Sequence, residues 1–271
     1  MPMKKFNAIL VNTMRHLLIL AAWLFSAAAS AASPCEISLA YVEHPSAPYI
    51  EGEGMVTPAK PGIAVEIVSL AAAQAGCTIH LSRQANLRVL RSVEAGGVDG
   101  AILFSYEAER GALMDYPMKG DQPDASRRLA TFSYYLYRRK GGSINWDGTT
   151  LSNPDNVPIG INAGFSIAEL LFRFNVKLDE VQTTEQNIGK LRLGRIGAYA
   201  MQEHIADPVI RQMHLENEIE KLPVPLSTKN YYLTFSHKFY AAHRETAEKI
   251  WSLIAEQRDG LTKSLMQHYQ Q

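Results

Sequence analysis

Residues 98–117, VDGAILFSYEAERGALMDYP, decide how the rest of the chain is read. An apolar run, Ala101 to Phe104, reads as a buried strand and passes into a polar turn that carries Glu107, Glu109 and Arg110. In an open α/β sheet ligands bind beyond the carboxyl ends of the strands, so this turn sits where a cleft would open. Arg110 is then a candidate for gripping an anionic group, because a guanidinium offers parallel charge-assisted donors to a carboxylate. A surface Arg paired with Glu107 or Glu109 accounts for the same pattern, and Glu107 stands at the i,i+3 spacing that such a pair needs. Phe104 and Ser105, at the strand end, join Arg110 as candidate ligand contacts.

Working upstream, Arg88 to Ala95 reads as a helix ended by Gly96-Gly97, and Ile63 to Ala75 as an amphipathic helix ended by Gly76. In the latter Ile63, Ile67, Leu70 and Ala71 form the apolar positions. Short alternating strands, Glu36 to Val42 and Thr78 to Ser82, flank it, so the order is β-α-β-α-β with right-handed crossovers. Each of these two strands follows one of the only two cysteines, Cys35 and Cys77. As parallel neighbours their starts lie side by side within disulfide reach, and in an exported protein that bond is the expected state. In a cytosolic chain the same two residues would be unrelated thiols. No Cys-x-x-Cys spacing gives them redox chemistry.

Between the first strand and helix lies HPSAPY, residues 44–49, followed by a Gly- and Pro-rich loop to Pro61. The prolines stop the strand and hold the loop open, so Tyr49 can project over a cleft, or simply pack the loop. None of the eight His residues forms a metal-ligand spacing.

The N-terminus has the pattern of a targeting segment. Lys4, Lys5, Arg15 and His16 precede an apolar run from Leu17 to Phe25, and Ala29-Ser30-Ala31 offers a cleavage site, giving a signal peptide over residues 1–31. The run is short against the ~20 residues a membrane span needs; an uncleaved anchor is the alternative. Pro34 before Cys35 is a poor lipoprotein signal, so the expected product is soluble and exported. The first 31 residues hold three of the 27 basic residues and none of the 27 acidic ones, leaving 24 bases against 27 acids. That mildly acidic balance carries no electrostatic footprint for nucleic acid. With 271 residues, 46% hydrophobic and 20% charged, the chain can bury a full core as one long domain or two lobes.

Three stretches, GIAVEIVSLAAAQAGC (62–77), LRSVEAGGVDGAIL (90–103) and SYEAERGALMDYP (105–117), together resemble the family 3 periplasmic solute-binding proteins. That family has a Gly-led helix, a Gly-x-x-Asp strand entry and a Thr-x-Glu-Arg turn in this order, and a subgroup carries a cysteine pair where Cys35 and Cys77 stand. Downstream, VPIGINAGFSIAELL (157–171) resembles the family's second-lobe strand and helix start. KLRLGRIGAYAMQE (190–203) resembles its second Gly-x-x-Asp strand. YYLTFSHKF (231–239) and helices Ala242 to Gln257 and Asp259 to Tyr269 resemble its return and C-terminal helices.

The resemblance implies an α/β, two-lobe periplasmic-binding-protein-like (type II) fold with two crossover segments and a ligand trapped between the lobes. Lobe one would cover residues 35–133 and 228–271, lobe two residues 140–222, and the hinge crossovers residues 134–139 and 223–227. The aromatic extended run TFSYYLYRR (131–139) and the Pro-bearing segment from Lys221 to Tyr232 suit such crossovers. In lobe two, Ser166-Ile167-Ala168-Glu169 has the form of a capping box, whose free N–H groups would receive an anion, and Leu170, Leu171 and Phe174 should enter the core.

The chain also departs from the family. Glu107 replaces the Thr three residues before Arg110, Phe165 stands inside the Gly-Thr-Ser pattern before Ser166, Gly197 replaces the second Asp, and Gln202 replaces the acid that would hold an α-ammonium group. Two ligand chemistries stay open. Glu107 could hold the cationic part of an amine or zwitterion, or Arg110, Ser166 and Gln202 could hold a neutral or anionic molecule. Tyr49, Phe104 and Phe165 suit an apolar or ring-bearing ligand.

The expected function is capture of a small polar, amino-acid-like or related solute in the periplasm. Delivery would go to an ABC importer's membrane permease or to a sensor receptor, by a monomer that needs no cofactor and no catalytic residue. The alternatives are a dehydratase-like enzyme on this scaffold with Glu107 as general acid or base, and a protein-interaction module that binds no ligand.

Overall fold

Strand β1 (Cys35–Val42), buried at Ile37 and from Leu39 to Tyr41, leads through the Pro-rich loop into α1 (Ile63–Gln74), which returns the chain to β2 (Cys77–Gln84). The computed structural model describes residues 35–269, so the targeting segment expected over residues 1–31 lies outside the described residues. β1 and β2 pair in parallel with Cys35 opposite Cys77, and these two cysteines form a disulfide, as their placement before two neighbouring strands implied.

After α2 (Asn86–Glu94), β3 (Gly100–Ser105) lies on the other side of β1. Asp99 ties β1 and β3 together, its Oδ2 accepting from the backbone N–H of Ser38 at 2.8 Å and from that residue's hydroxyl at 2.7 Å. Next come α3 (Ala108–Gly111), a small hairpin of β4 (Met118–Lys119) and β5 (Gln122–Pro123), and the long strand β6 (Ala130–Arg139). A second hairpin, β7 (Asn145–Trp146) with β8 (Leu151–Ser152), precedes β9 (Ile159–Asn162), α4 (Ile167–Arg173), β10 (Leu178–Val181), α5 (Thr184–Arg192) and β11 (Ala198–Gln202). The chain then forms α6 (Glu203–Gln212), β12 (Ile219–Lys221) and β13 (Ser227–Phe235), and ends with α7 (His237–Ala242) and α8 (Arg244–Tyr269).

One sheet links these strands in the order β10-β9-β11-β6-β13-β3-β1-β2, with β12 added to β6. The two ends repeat one topology: β1 lies between β2 and β3, and β9 lies between β10 and β11, all in parallel. β6 and β13 run antiparallel between them. Buried side chains divide accordingly. Phe132 and Tyr231 belong to a core with Ile37, Leu39 and Trp251, whereas Tyr134 and Leu226 belong to another with Ile159, Ile161 and Leu171. The change of core therefore falls between Phe132 and Tyr134 on β6, which are two residues apart and so project to the same face of the strand.

Two expectations differ in detail. The C-terminal region is not split near Arg258: α8 runs unbroken, because Arg258 is buried and donates to the carbonyls of Ser126 and Arg128 at 2.7 and 2.9 Å, which anchors mid-helix. Leu70 is 42% exposed and lies outside the core; the buried stripe of α1 uses Ile63, Ile67, Ala71 and their neighbours Ala64, Val68 and Ala72. In α4 Leu171 is fully buried, with Leu170 and Phe174 packed at the core's margin.

Candidate functional site

The segments that follow the carboxyl ends of β1, β3, β9 and β11 converge on one cavity of about 370 Å³. Ser46 comes from beyond β1, Ser105 and Arg110 from β3 and the turn after it, Ser166 from beyond β9, and Gln202 from the last position of β11. In each half the cavity sits at the side where the order of strands reverses, which is where open α/β sheets leave a crevice.

β3 is irregular at this point. Leu103 has φ 71°, and the register against β13 shifts so that Ile102 faces Leu233 while Phe104 faces Tyr232. Leu103 is the extra residue of a bulge, and a left-handed conformation for a non-glycine residue costs on the order of 1 kcal/mol. The consequence is functional geometry: Leu103, Phe104 and Ser105 all reach the cavity wall, although successive residues of a regular strand point to opposite faces.

Arg110, on α3, lies with its guanidinium carbon 5.6 Å from the centre of the Phe104 ring. Its Nη1 donates to the carbonyl and hydroxyl of Ser105 at 3.3 and 3.1 Å, and its Nη2 donates to the Gly164 carbonyl at 2.7 Å. The Ser105 hydroxyl donates to the Ser166 hydroxyl at 2.9 Å. Ser166 was expected to cap α4, but its backbone is already helical and its side chain caps nothing; the hydroxyl is instead drawn to Ser105 and Lys229. The capping box belongs to Thr183 and Gln186 at the start of α5.

Glu107 does not line the cavity. It forms an ion pair with Lys229, and the same ammonium donates to the Ser166 carbonyl at 3.1 Å and hydroxyl at 3.3 Å. Burial pulls the Lys229 ammonium below the usual lysine range, with Glu107 acting against that shift.

No family model matches the chain, and no curated protein matches it. Among solved structures, a histidine kinase sensor domain with similarity to periplasmic binding proteins superposes with a TM-score of 0.67 at 14% identity, covering 86% of this chain and 95% of that one. An ancestral arginine-binding protein bound to glutamine gives 0.63 at 14% identity over 86% and 97% of the two chains. The GluR0 ligand-binding core of Nostoc punctiforme, in complex with L-glutamate, gives 0.62 at 15% over 86% and 98%.

The fold is the two-lobe periplasmic-binding-protein fold.

In these terms Arg110 and Ser105 come from the half built on β1, Gly164 and Ser166 from the half built on β9, and the cavity lies between the lobes. Phe165 lines its wall beside Ser166. Gln202 also lines it, hydrogen-bonded through Nε2 to the Tyr231 hydroxyl, which in turn donates to Tyr134 at 3.2 Å. Burial raises both phenols above their ordinary range, so they remain neutral donors and acceptors.

On another wall His204, from α6, approaches the Ser46 hydroxyl at 2.8 Å through Nε2 and stacks on Phe132 with ring centres 4.0 Å apart. Desolvation pushes this imidazole down to about 4, so it is uncharged at neutral pH. Tyr49 does not form the expected platform over the cleft: the 46–50 turn, closed by bonds between Ser46 and Ile50, directs it onto Phe132 and His204 behind the wall.

Gly197, where a second Asp was looked for, has a steric reason. A Cβ there would meet Ile144 Cδ1 at 2.5 Å and Val157 Cβ at 3.2 Å.

Sequence reading missed Lys229, His204, Tyr134 and Tyr231. A usable signal was present in the period-2 alternation of the two long strands, where Phe132 and Tyr134 on β6 and Lys229 and Tyr231 on β13 each project from one face.

Proposed function

We propose that this chain is an exported periplasmic solute-binding protein that captures a small polar organic ligand between its lobes and presents it to a membrane partner. That partner is an ABC importer's permease or a sensor receptor. The reading is carried by one observation: a half-buried Arg110, with donors committed to both lobes, lines a cavity of about 370 Å³ between them. Such a volume falls within the roughly 300–1,000 Å³ usual for small-molecule sites. A ligand gripped there would add bonds between the lobes and favour the closed arrangement, which is the signal a partner reads.

The targeting pattern over residues 1–31 and the Cys35–Cys77 disulfide both support an oxidising compartment outside the cytoplasm. Binding without turnover fits the state of Glu107: the candidate acid or base is held by Lys229 away from the cavity wall.

The test is a thermal-shift screen of the mature protein with amino acids, polyamines, organic acids and nucleobases. A compound at a hundred times its dissociation constant stabilises by ~2.7 kcal/mol. A hit recovered unchanged by mass spectrometry supports binding; a converted hit would make the protein an enzyme. Silence across the whole library would leave an interaction module as the better reading.

A further inference from the structure

Around the Ser105–Ser166 hydrogen bond the structure gathers two cations and one carboxylate: Arg110, Lys229 and Glu107. Lys229 and Glu107 neutralise each other at 17% and 16% side-chain exposure, behind the cavity wall. Arg110 is on the wall, and its three bonds go to neutral oxygens of Ser105 and Gly164. A guanidinium has five N–H donors, so two remain for whatever enters. A positive charge partly withdrawn from water, without a carboxylate partner among the described residues, favours an anion.

The acceptors argue the complementary point. An ammonium next to that anionic group would need carbonyl or carboxylate oxygens close to Arg110. The Ser105 carbonyl already accepts from both Tyr116 and Arg110, while those of Gly164, Ser166 and Ala163 each accept one bond and keep a second lone pair, and Gln202, bonded through Nε2, keeps its amide oxygen; what the site offers an ammonium is neutral oxygens only. The carboxylates that line the cavity belong to Glu53 and Glu185, both on exposed residues where water screens them. The remaining wall combines apolar side chains, Phe132, Phe165, Ile205 and Val209, with neutral polar ones such as Asn162, Thr184 and Gln202, and His204 is neutral at ordinary pH.

Resting on the solute-binding role proposed above, the geometry points to a ligand that is a small organic monoanion with no amine beside its acid group, held by Arg110 with an uncharged ring-bearing or aliphatic body against Phe132 and Phe165. The protein discriminates against α-amino acids by leaving their ammonium group without a carboxylate partner close to Arg110. Taking a cation out of water against neutral oxygens alone is costly, and that penalty sets the selection.

Matched sets of compounds test this on the unaltered mature protein: 3-phenylpropionate, phenylalanine and phenethylamine, and 4-methylpentanoate, leucine and isoamylamine, each measured by thermal shift and calorimetry. The carboxylates should bind at least tenfold more tightly than the α-amino acids, and the amines should not bind. Gln202→Glu, which sets a carboxylate on the cavity wall, should narrow that gap by improving amino-acid binding. Amino acids binding as well as or better than their des-amino partners would overturn the selection while leaving the solute-binding role intact. Carboxylates that fail while amines or amino acids bind would do the same. Failure of these sets together with silence of the broad screen would remove both.

Discussion

The Ser105 hydroxyl donates to the Ser166 hydroxyl over 2.9 Å, joining the end of β3 to the turn before α4 across 61 residues of sequence. Both side chains are buried, so the two halves of the sheet meet at this bond through polar groups and not through apolar packing. Arg110 and Lys229 flank it and each donates to both the near and the far side of the site. Polar contacts of this kind exchange readily for ligand or water, which suits the proposed capture of a solute at this surface.

Arg110→Ala should abolish stabilisation by whichever compound the screen returns, while lowering the unliganded protein's stability by at most ~3 kcal/mol, the sum of its three hydrogen bonds. Its hydrogen bonds are to neutral oxygens, and each contributes about 1 kcal/mol net. Urea titration with and without ligand reads both effects. A loss of ~4 kcal/mol or more without ligand would mark the residue as a structural support.

Lys229→Met leaves the Glu107 carboxylate largely buried without its partner, and should cost ~3 kcal/mol. The double variant Lys229→Met/Glu107→Gln removes both charges and should recover most of that loss. Chemical denaturation of the three proteins completes a double-mutant cycle; additive losses would show that the pair is not coupled.

Below neutral pH, His204 should weaken the fold. Its folded-state value of about 4 lies under the unfolded ~6.5, so between these the unfolded chain binds the extra proton. The contribution is present above pH 6.5 and is lost as pH falls toward 4, a difference on the order of 3 kcal/mol. Melting curves of the native chain and of His204→Gln should therefore converge as the pH drops through this window. Parallel curves would show that the imidazole is not desolvated.

Replacing Cys35 and Cys77 by Ser releases a link spanning 42 residues. In the chain-entropy treatment that loop length corresponds to ~4 kcal/mol, and native-state adjustments make ~2–4 the expected loss. Reduction of the native protein should lower its melting temperature by the same amount as the double substitution, with ligand affinity retained, because the link lies at the starts of β1 and β2, the opposite ends of those strands from the site. A loss of ligand binding would show that the link reaches the cavity.

The β-α-β-α-β order was legible because Gly76 and Gly96-Gly97 punctuate apolar periodic segments, and the residue pattern at 98–117 placed Arg110 beyond a strand's carboxyl end. Helix boundaries near Arg258 were misread because nothing local signals that its guanidinium will be captured by carbonyls more than a hundred residues away. Loop composition left Tyr49 either over the cleft or packed into its loop, because the direction of a side chain on a loop depends on the hydrogen bonds that close the turn.

Sequence by itself determined the first β-α-β-α-β half, the adjacency of Cys35 and Cys77 and the placing of Arg110 beyond a strand's carboxyl end, because each follows from local periodicity, strand pairing and the fixed hand of crossovers, whereas the second half was implied by the resemblance carried by residues 157–203. Tertiary structure alone decided that Lys229 takes Glu107, that a bulge at Leu103 turns three successive side chains to one wall, and that His204 loses its water. The physical reason is that these outcomes depend on charge pairing, register and desolvation between segments distant in the chain, none of which short-range pattern encodes.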